Sequence, residues 1–323
     1  MKNFEYVYPK NAATVPALLS EKEGQSLLYA GGTDAIARLK EGIDTPEQLI
    51  NLKAVKELNF IKTGKTGLRI GAATPLSDLI ENADAKKYPG LIKAAQSIGT
   101  IQLRNMGTVG GNLCQRPRCW YFRSRHFPCL RKHGDTCFAI YGENKYHAII
   151  GGNPCFIVHP SDLAPMLIAL DARIKISSPK GIREITLEEF FVLPEQDPYH
   201  ETILKPQELL TEVIVPATTR KSHYLKFRER KSIDFAMVSV AFTATVTGKR
   251  LSNLRLVLGG VAPIPWRAHK AEKILEGKEI DDNAILEAGA AELADVSPLD
   301  QNEFKVILTK NLLKRAVHEL VAA

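Results

Sequence analysis

The pattern of apolar and polar positions predicts strands, glycine turns and helices in the first two-thirds of the chain. Residues 26–42, SLLYAGGTDAIARLKEG, read as an apolar strand, a Gly-Gly turn and a helix that ends at Gly42. Residues 58–72 read as a hairpin, because Gly64 and Gly67 lie between alternating apolar positions. Strands and helices therefore share this region.

The pattern changes near residue 218. Residues 222–268 alternate between apolar and polar positions as antiparallel strands do, and amphipathic helices are predicted at about 268–276, 282–294 and 301–322. We therefore expect two domains, with a boundary near residues 216–222 in the segment PATTRKS.

Composition narrows the class of protein. The 323 residues are 45% hydrophobic and 24% charged, which is ordinary for a folded protein with more than one core. The first residues form no continuous apolar stretch, so no export signal is predicted, and no apolar run approaches the roughly 20 residues that cross a bilayer. The net charge of +7 comes without a recognisable module for reading nucleic acid, so solvated surface is the simpler interpretation.

Two glycine-rich turns are candidates for binding phosphate. The turns are AGGTD at residues 30–34 and GTVGGN at residues 107–112. Glycine lets a ligand approach the backbone, and successive amides at such a turn favour a phosphate. The Rossmann fingerprint G-x-G-x-x-G is absent. One such turn can be a simple strand-to-helix connection, but two could hold both phosphates of a dinucleotide, and NAD and FAD fit equally.

All five cysteines lie between residues 114 and 155. An odd count without a secretory signal favours metal ligation over disulfides, and the lack of a C-x-x-C pair leaves zinc as the weaker alternative. Four thiolates can hold a 4Fe–4S cluster, whose negative charge suits a segment that has no carboxylate between residues 116 and 134. Reduced structural thiols are the other interpretation. Cys114, in the apolar GNLC, is interpreted as a packed residue.

Several ordered motifs together resemble one family over essentially the whole chain. They are AGGTD, RIGAATPLSDL, TVGGN, HPSDLAPML, YLKFRERKSIDFAMVSVA and LVLGGVAPIPWRA. The family is that of the FAD-binding subunits of the xanthine dehydrogenase and carbon monoxide dehydrogenase molybdenum hydroxylases. The resemblance implies an α+β fold, in which residues 1–217 form a two-lobed FAD-binding domain of the PCMH type with the flavin between its lobes. A smaller domain with a three-stranded antiparallel sheet and helices would follow over residues 218–323.

Residues 113–158 resemble an insertion that most members of this family lack. It is similar to the insertion of the 4-hydroxybenzoyl-CoA reductase β subunit and of the flavin subunit of the periplasmic aldehyde oxidoreductase. The resemblance implies a 4Fe–4S cluster bound by Cys119, Cys129, Cys137 and Cys155.

The resemblance also implies a set of FAD contacts. They are Leu28, Tyr29, Ala30, Gly31, Gly32, Thr33, Asp34 and Ala35 at the first turn, Thr108, Gly111 and Asn112 at the second, Asp162 near the ribose and Lys226 near the isoalloxazine. From the residues alone, Asp162 would be interpreted as a helix cap and Lys226 as a solvated strand lysine.

The implied function is electron transfer within an oxidoreductase of the aldehyde, hydroxybenzoyl-CoA or xanthine dehydrogenase type. Electrons would come from a molybdopterin-containing large subunit through a small 2Fe–2S subunit and leave to an external acceptor, so we assign no catalytic residue to this chain. A stand-alone flavoenzyme and a zinc-dependent nucleic-acid-binding protein are the alternatives. We expect no nucleic acid, no membrane insertion and a cytoplasmic location, or a periplasmic one if a partner carries the export signal.

Overall fold

A computed structural model describes residues 1–322, and the chain begins with a small parallel sheet. The elements are β1 (Glu5–Val7), α1 (Val15–Leu18), β2 (Ser26–Tyr29), α2 (Ala35–Glu41) and β3 (Gln48–Asn51). The strand order is β1-β3-β2, and both pairings are parallel. The predicted strand, turn and helix are present, and α2 ends at Gly42 with a φ of 67°.

A five-stranded antiparallel sheet forms the second lobe. Its elements are β4 (Ile61–Gly64), β5 (Gly67–Gly71), α3 (Leu76–Glu81), α4 (Pro89–Gln96), α5 (Ile101–Met106), α6 (Val109–Leu113), α7 (Trp120–Arg123), α8 (Leu163–Ala169), β6 (Arg173–Ser178), β7 (Gly181–Thr186) and β8 (Leu209–Pro216). The strand order is β4-β5-β8-β6-β7. Every residue of α8 is buried, because this helix packs against α4 and α6 on one side and against strands of the C-terminal sheet on the other.

The C-terminal part forms a second core. Its elements are β9 (Lys221–Phe227), β10 (Val238–Thr247), β11 (Arg250–Gly259), β12 (Trp266–Arg267), α9 (His269–Leu275), α10 (Asp282–Glu292) and α11 (Phe304–Ala322). The antiparallel order is β12-β11-β10-β9, so the expected three-stranded sheet gains β12, a fourth strand of two residues. The long helix α11 buries Leu312, Leu313, Ala316, Val317 and Leu320.

These elements confirm the expected α+β fold of a two-lobed domain followed by a sheet with helices. Residues 217–220 connect β8 to β9. The boundary at 217/218 falls in that connection and stays a prediction. Within residues 1–322, every helix is too short or too polar to cross a bilayer.

The cysteine-containing segment has little regular structure. Between α6 and α8 it contains only α7 and one 3-10 turn, Leu130–Lys132. Tyr121, Phe122, Cys129 and Ala139 form a small core of their own. The segment is therefore held by local packing and by contacts to the rest of the chain.

Candidate functional site

The two glycine turns meet at a cavity of about 370 Å³. A Cβ atom built on Gly31 would lie 1.8 Å from the carbonyl oxygen of Met106 and 2.9 Å from Cα of Gly107. The two turns therefore touch backbone to backbone. At Gly32 the φ is 73°, and a Cβ there would lie 2.7 Å from the ring of Tyr29. Only glycine fits these two positions without displacing a neighbour.

The first turn has backbone amides without a hydrogen-bond acceptor, whereas most amides of the second turn already donate hydrogen bonds within the chain. Within residues 1–322, the amides of 32–34 donate no backbone hydrogen bond. In the second turn, the amide of Val109 donates to the carbonyl of Thr74 at 2.9 Å, and that of Gly110 donates to the carbonyl of Ala72 at 2.8 Å. The amide of Gly111 donates to Oγ1 of Thr108 at 3.1 Å. The expectation that both turns present successive amides is thus met by the first turn only.

Asp34 lies beside these free amides, but its charge is compensated. Arg38 Nη1 lies 2.9 Å from Oδ2, while Arg118 Nη1 and Arg123 Nη2 lie 3.0 Å and 2.7 Å from Oδ1. The backbone amide of Arg116 donates to Oδ2 at 3.1 Å. Burial alone would raise the pKa of Asp34, but the three guanidinium groups hold this pKa below its ordinary value. The first turn can therefore accept an anion without repulsion from its own carboxylate.

Asp162 and Lys226 form a buried pair. Lys226 Nζ lies 2.7 Å from Asp162 Oδ2, and their side chains are 4% and 5% exposed. Tyr224 donates its hydroxyl to Asp162 Oδ1 at 2.7 Å. Asp162 occupies the N-cap position of α8, but its side chain makes no capping hydrogen bond, and Oγ of Ser161 accepts from the amide of Ala164 at 3.0 Å instead. The side chain of Asp162 therefore does not cap the helix, and the interpretation of Lys226 as a solvated lysine is wrong.

The four predicted ligand cysteines line a single small cavity of about 10 Å³. Cys119, Cys129, Cys137 and Cys155 share its wall with Phe122, Phe138 and Ile157 among other residues. Cys114 lies on the wall of the large cavity instead, where burial raises the pKa of its thiol to about 12. The four cysteines thus line one cavity and the fifth lines another, and the role of the four as cluster ligands stays a prediction.

Two polar side chains contact sulfur in this small cavity. Arg131 Nε lies 3.4 Å from Cys155 Sγ, and His147 Nε2 lies 3.2 Å from Cys119 Sγ. A hydrogen bond from Cys137, with the charge of Arg131 acting in the same direction, lowers the pKa of Cys155 to about 6. Within residues 1–322, no group of three or more His, Cys, Asp or Glu side chains could hold a metal ion.

Comparison with known proteins decides the family. The family described as the FAD binding domain in molybdopterin dehydrogenase matches residues 2–218, and that described as the CO dehydrogenase flavoprotein C-terminal domain matches residues 223–320. The chain belongs to the FAD-binding subunits of the molybdenum hydroxylase family. The resemblance inferred from the motifs is confirmed, and this flavin subunit is part of an oxidoreductase.

Individual relatives cover nearly the whole flavin subunit. It is 34% identical to the aldehyde oxidoreductase FAD-binding subunit PaoB of Escherichia coli, over 99% of this chain and 98% of the relative. Identity to the carbon monoxide dehydrogenase medium chain of Hydrogenophaga pseudoflava is 26%, over 98% and 96%. A solved structure of carbon monoxide dehydrogenase from Hydrogenophaga pseudoflava, which lacks the Mo-pyranopterin moiety of its molybdenum cofactor, is similar with a TM-score of 0.79, at 27% identity over 99% of this chain and 98% of that one.

Most of the residues predicted to contact FAD line the large cavity of the flavin subunit. They are Leu28, Ala30, Gly31, Gly32, Thr33, Asp34, Ala35, Thr108, Gly111, Asn112 and Asp162. Tyr29 and Lys226 do not line this cavity. Tyr29 packs against Gly32, and Lys226 pairs with Asp162, and both of these neighbours are in the cavity wall. Contact between these residues and FAD stays a prediction.

Sequence reasoning missed other residues of this wall. They include Arg38, Leu103, Arg118, Leu204, Leu209, Leu210 and Phe235. The guanidinium of Arg118 lies 4.8 Å from the ring centroid of Phe235. These residues come from α2, α5, the cysteine-containing segment, the connection before β8, β8 itself and the connection after β9, so they are brought together only by the fold.

A third cavity, of about 330 Å³, lies between the other two. It shares Arg118, Asp162 and Phe235 with the large cavity and Cys119 and His147 with the small one. Neighbouring cavities with shared wall residues therefore extend from the glycine turns to the four cysteines of the flavin subunit.

Proposed function

We propose that this chain is the electron-transfer subunit of a molybdenum hydroxylase and that it binds FAD and a 4Fe–4S cluster. Its partners would be a small 2Fe–2S subunit and a large molybdopterin-containing subunit, and electrons would leave to an external acceptor. The observation that carries the proposal is the presence, in one chain, of a glycine-turn cavity and a four-cysteine cavity joined by shared walls. The relatives' names support it, since they are FAD-binding subunits and medium chains.

The large cavity fits the diphosphate of FAD. The free amides of residues 32–34 would hold the phosphates, and the neutralised Asp34 removes the repulsion that a bare carboxylate would add. Asp162, fixed by Lys226 and Tyr224, would orient the ribose region. When bound, FAD would supply redox chemistry in one- and two-electron steps. The chain itself contributes binding, orientation and electrostatics.

The small cavity fits a four-cysteine cluster in its donor chemistry. Cys129 and Cys155 are 6% and 3% exposed, and aromatic rings such as Phe122 exclude water from the cavity. Four cysteine thiolates are the usual ligand set of a 4Fe–4S cluster, and all four line this cavity. Within residues 1–322 no group of three or more His, Cys, Asp or Glu side chains is suited to a single metal ion, so the proposal rests on the chemistry of the four donors. When bound, the cluster would supply one-electron transfer.

The ion pairs of the cysteine-containing segment argue against the zinc-dependent nucleic-acid-binding alternative. Four of the six cationic side chains between 116 and 138 pair with carboxylates: Arg118 and Arg123 with Asp34, and Arg116 and Arg131 with Glu201. These guanidinium groups are not free to bind phosphates of a nucleic acid.

We further propose two domains, residues 1–217 and 218–323, and a cytoplasmic location. Export to the periplasm with a partner that carries the signal is the alternative, and fractionation of the native cell distinguishes them.

Anaerobic purification of the native complex tests the cofactors. Absorbance, metal analysis and electron paramagnetic resonance after reduction should give bound FAD and about four iron atoms per chain from this site, as expected for a cluster held by four thiolates. Stoichiometric zinc without flavin would refute the proposal. A chain that purifies alone with FAD and turns over a substrate of its own would favour the stand-alone flavoenzyme.

A matched pair of variants tests the ligand set. Cys129→Ser should remove the cluster's signal, whereas Cys114→Ser should keep it, because Cys114 lies on the wall of the large cavity. Equal loss of iron in both variants would show that the four ligands are assigned wrongly.

A further inference from the structure

Two buried nitrogen donors approach two of the four sulfurs from different parts of the chain. His147 is 3% exposed, and its Nε2 lies 3.2 Å from Cys119 Sγ. Arg131 Nε lies 3.4 Å from Cys155 Sγ. A thiolate has no hydrogen to give, so both nitrogens must donate to it once these cysteines are deprotonated.

Arg131 is fixed in place by a carboxylate. Its side chain is 1% exposed, and Nη1 lies 2.6 Å from Glu201 Oε1. Glu201 is held in turn by Arg116, whose Nε lies 3.1 Å from Oε2. Because Glu201 fixes one edge of the guanidinium, the Nε–H group stays directed at Cys155.

His147 is fixed through its backbone by the C-terminal region. The carbonyl of His147 accepts from Lys305 Nζ at 2.9 Å and from Asn302 Nδ2 at 3.2 Å. Both donors are buried, and Lys305 lies in α11. The position of the imidazole at Cys119 thus depends on the second domain.

The remaining cations of the segment have other contacts. Arg118 and Arg123 pair with Asp34. Lys132 Nζ donates to the carbonyl of Tyr121 at 3.0 Å. Arg125 is exposed. Among the side-chain nitrogens of residues 1–322, only those of His147 and Arg131 lie within hydrogen-bonding distance of one of the four cysteine sulfurs.

We propose that His147 and Arg131 are positioning residues that raise the reduction potential of the cluster held by the four cysteines. This inference rests on the proposed 4Fe–4S cluster. Hydrogen bonds to the sulfurs and nearby positive charge stabilise the more negative, reduced state of such a cluster. Each residue therefore shifts the one-electron equilibrium toward the reduced form.

The test is a redox titration of the purified complex, followed by electron paramagnetic resonance of the cluster. His147→Met and Arg131→Met each remove a donor, so both should lower the midpoint potential. We expect at least a tenfold fall in the ratio of reduced to oxidised cluster at a fixed potential, which equals 59 mV for one electron. Arg125→Met removes the same charge as Arg131→Met at an exposed position and should leave the potential unchanged.

Iron content separates the outcomes. A wild-type complex without iron at this site refutes the proposed cluster itself. Variants that keep their iron and titrate at the wild-type potential overturn the tuning role. If His147→Met loses iron, His147→Gln is titrated in its place, and Arg131→Lys takes the place of Arg131→Met in the same way. Each of these variants keeps a hydrogen-bond donor but changes its distance from the sulfur. A lowered potential in these variants supports the proposal, and an unchanged potential or loss of iron from them overturns it.

Discussion

Substitution of Gly31 by alanine tests the contact between the two glycine turns. The new Cβ would lie 1.8 Å from the carbonyl oxygen of Met106, 2.6 Å from its carbonyl carbon and 2.9 Å from Cα of Gly107. All three are backbone atoms, so no side-chain rotation relieves the overlap. The turns must move apart by about an ångström, which displaces the free amides of residues 32–34 from the cavity floor.

The expected cost follows from the kind of overlap. Extra volume in a packed site costs about 1–3 kcal/mol when side chains can adjust, and a clash against backbone belongs at the upper end of that range. At about 2–4 °C per kcal/mol for a domain of this size, a loss of about 3 kcal/mol lowers the melting temperature by about 6–12 °C. Flavin content should fall as well, because the amides would no longer converge.

Calorimetry and the flavin absorbance of the purified variant measure both effects. The control is Gly64→Ala in the β4–β5 turn, where a Cβ meets no atom within 4 Å, so melting temperature and flavin content should stay at wild-type values. Gly111→Ala should be intermediate, because its Cβ meets only the side-chain Oγ1 of Thr108, at 2.9 Å. Wild-type stability and full flavin occupancy in Gly31→Ala would refute the close contact of the turns.

Three further predictions concern buried charges. Lys226→Met leaves its buried aspartate partner with one hydrogen bond and should cost about 3–5 kcal/mol in unfolding free energy, whereas Lys87→Met, at an exposed pair, should leave the melting temperature unchanged. Burial lowers the pKa of His159 from 6.5 to about 4, so the unfolded chain binds more protons than the folded chain between pH 6.5 and 4. The free energy of unfolding should therefore fall by up to about 3 kcal/mol as the pH drops through this range. Melting curves of His159→Gln should show a smaller fall over the same range. Burial lowers the pKa of Lys305 from 10.5 to about 7, so stability should rise with pH between those values, and a rise of the same size in Lys305→Met would contradict this assignment.

Features that depend on neighbouring residues could be predicted from the sequence. The strand, turn and helix of residues 26–42 follow from local periodicity and from Gly42 as the terminator. The antiparallel strands after residue 218 follow from alternation over long runs. The four cysteines were grouped by their shared segment and by resemblance to relatives, and they share one cavity.

Features that depend on tertiary contacts could not be predicted. The amides of the second turn are satisfied by the carbonyls of Ala72 and Thr74, and no property of GTVGGN shows this. The sequence presents Asp34 only as an FAD contact, because its partners Arg118 and Arg123 lie more than 80 residues away. Sequence spacing carries no information about such ion pairs, so charge alone could not tell a phosphate contact from a neutralised carboxylate.

The ion pairs at Asp34 connect the cysteine-containing segment to the first glycine turn. Of the three guanidinium partners of this carboxylate, Arg118 and Arg123 belong to that segment, and only Arg38 belongs to the helix that follows the turn. Deleting the segment would leave Asp34 beside the free amides of residues 32–34 with a single cation. A chimaera that exchanges the cysteine-containing segment alone should therefore change the electrostatics of the first turn as well.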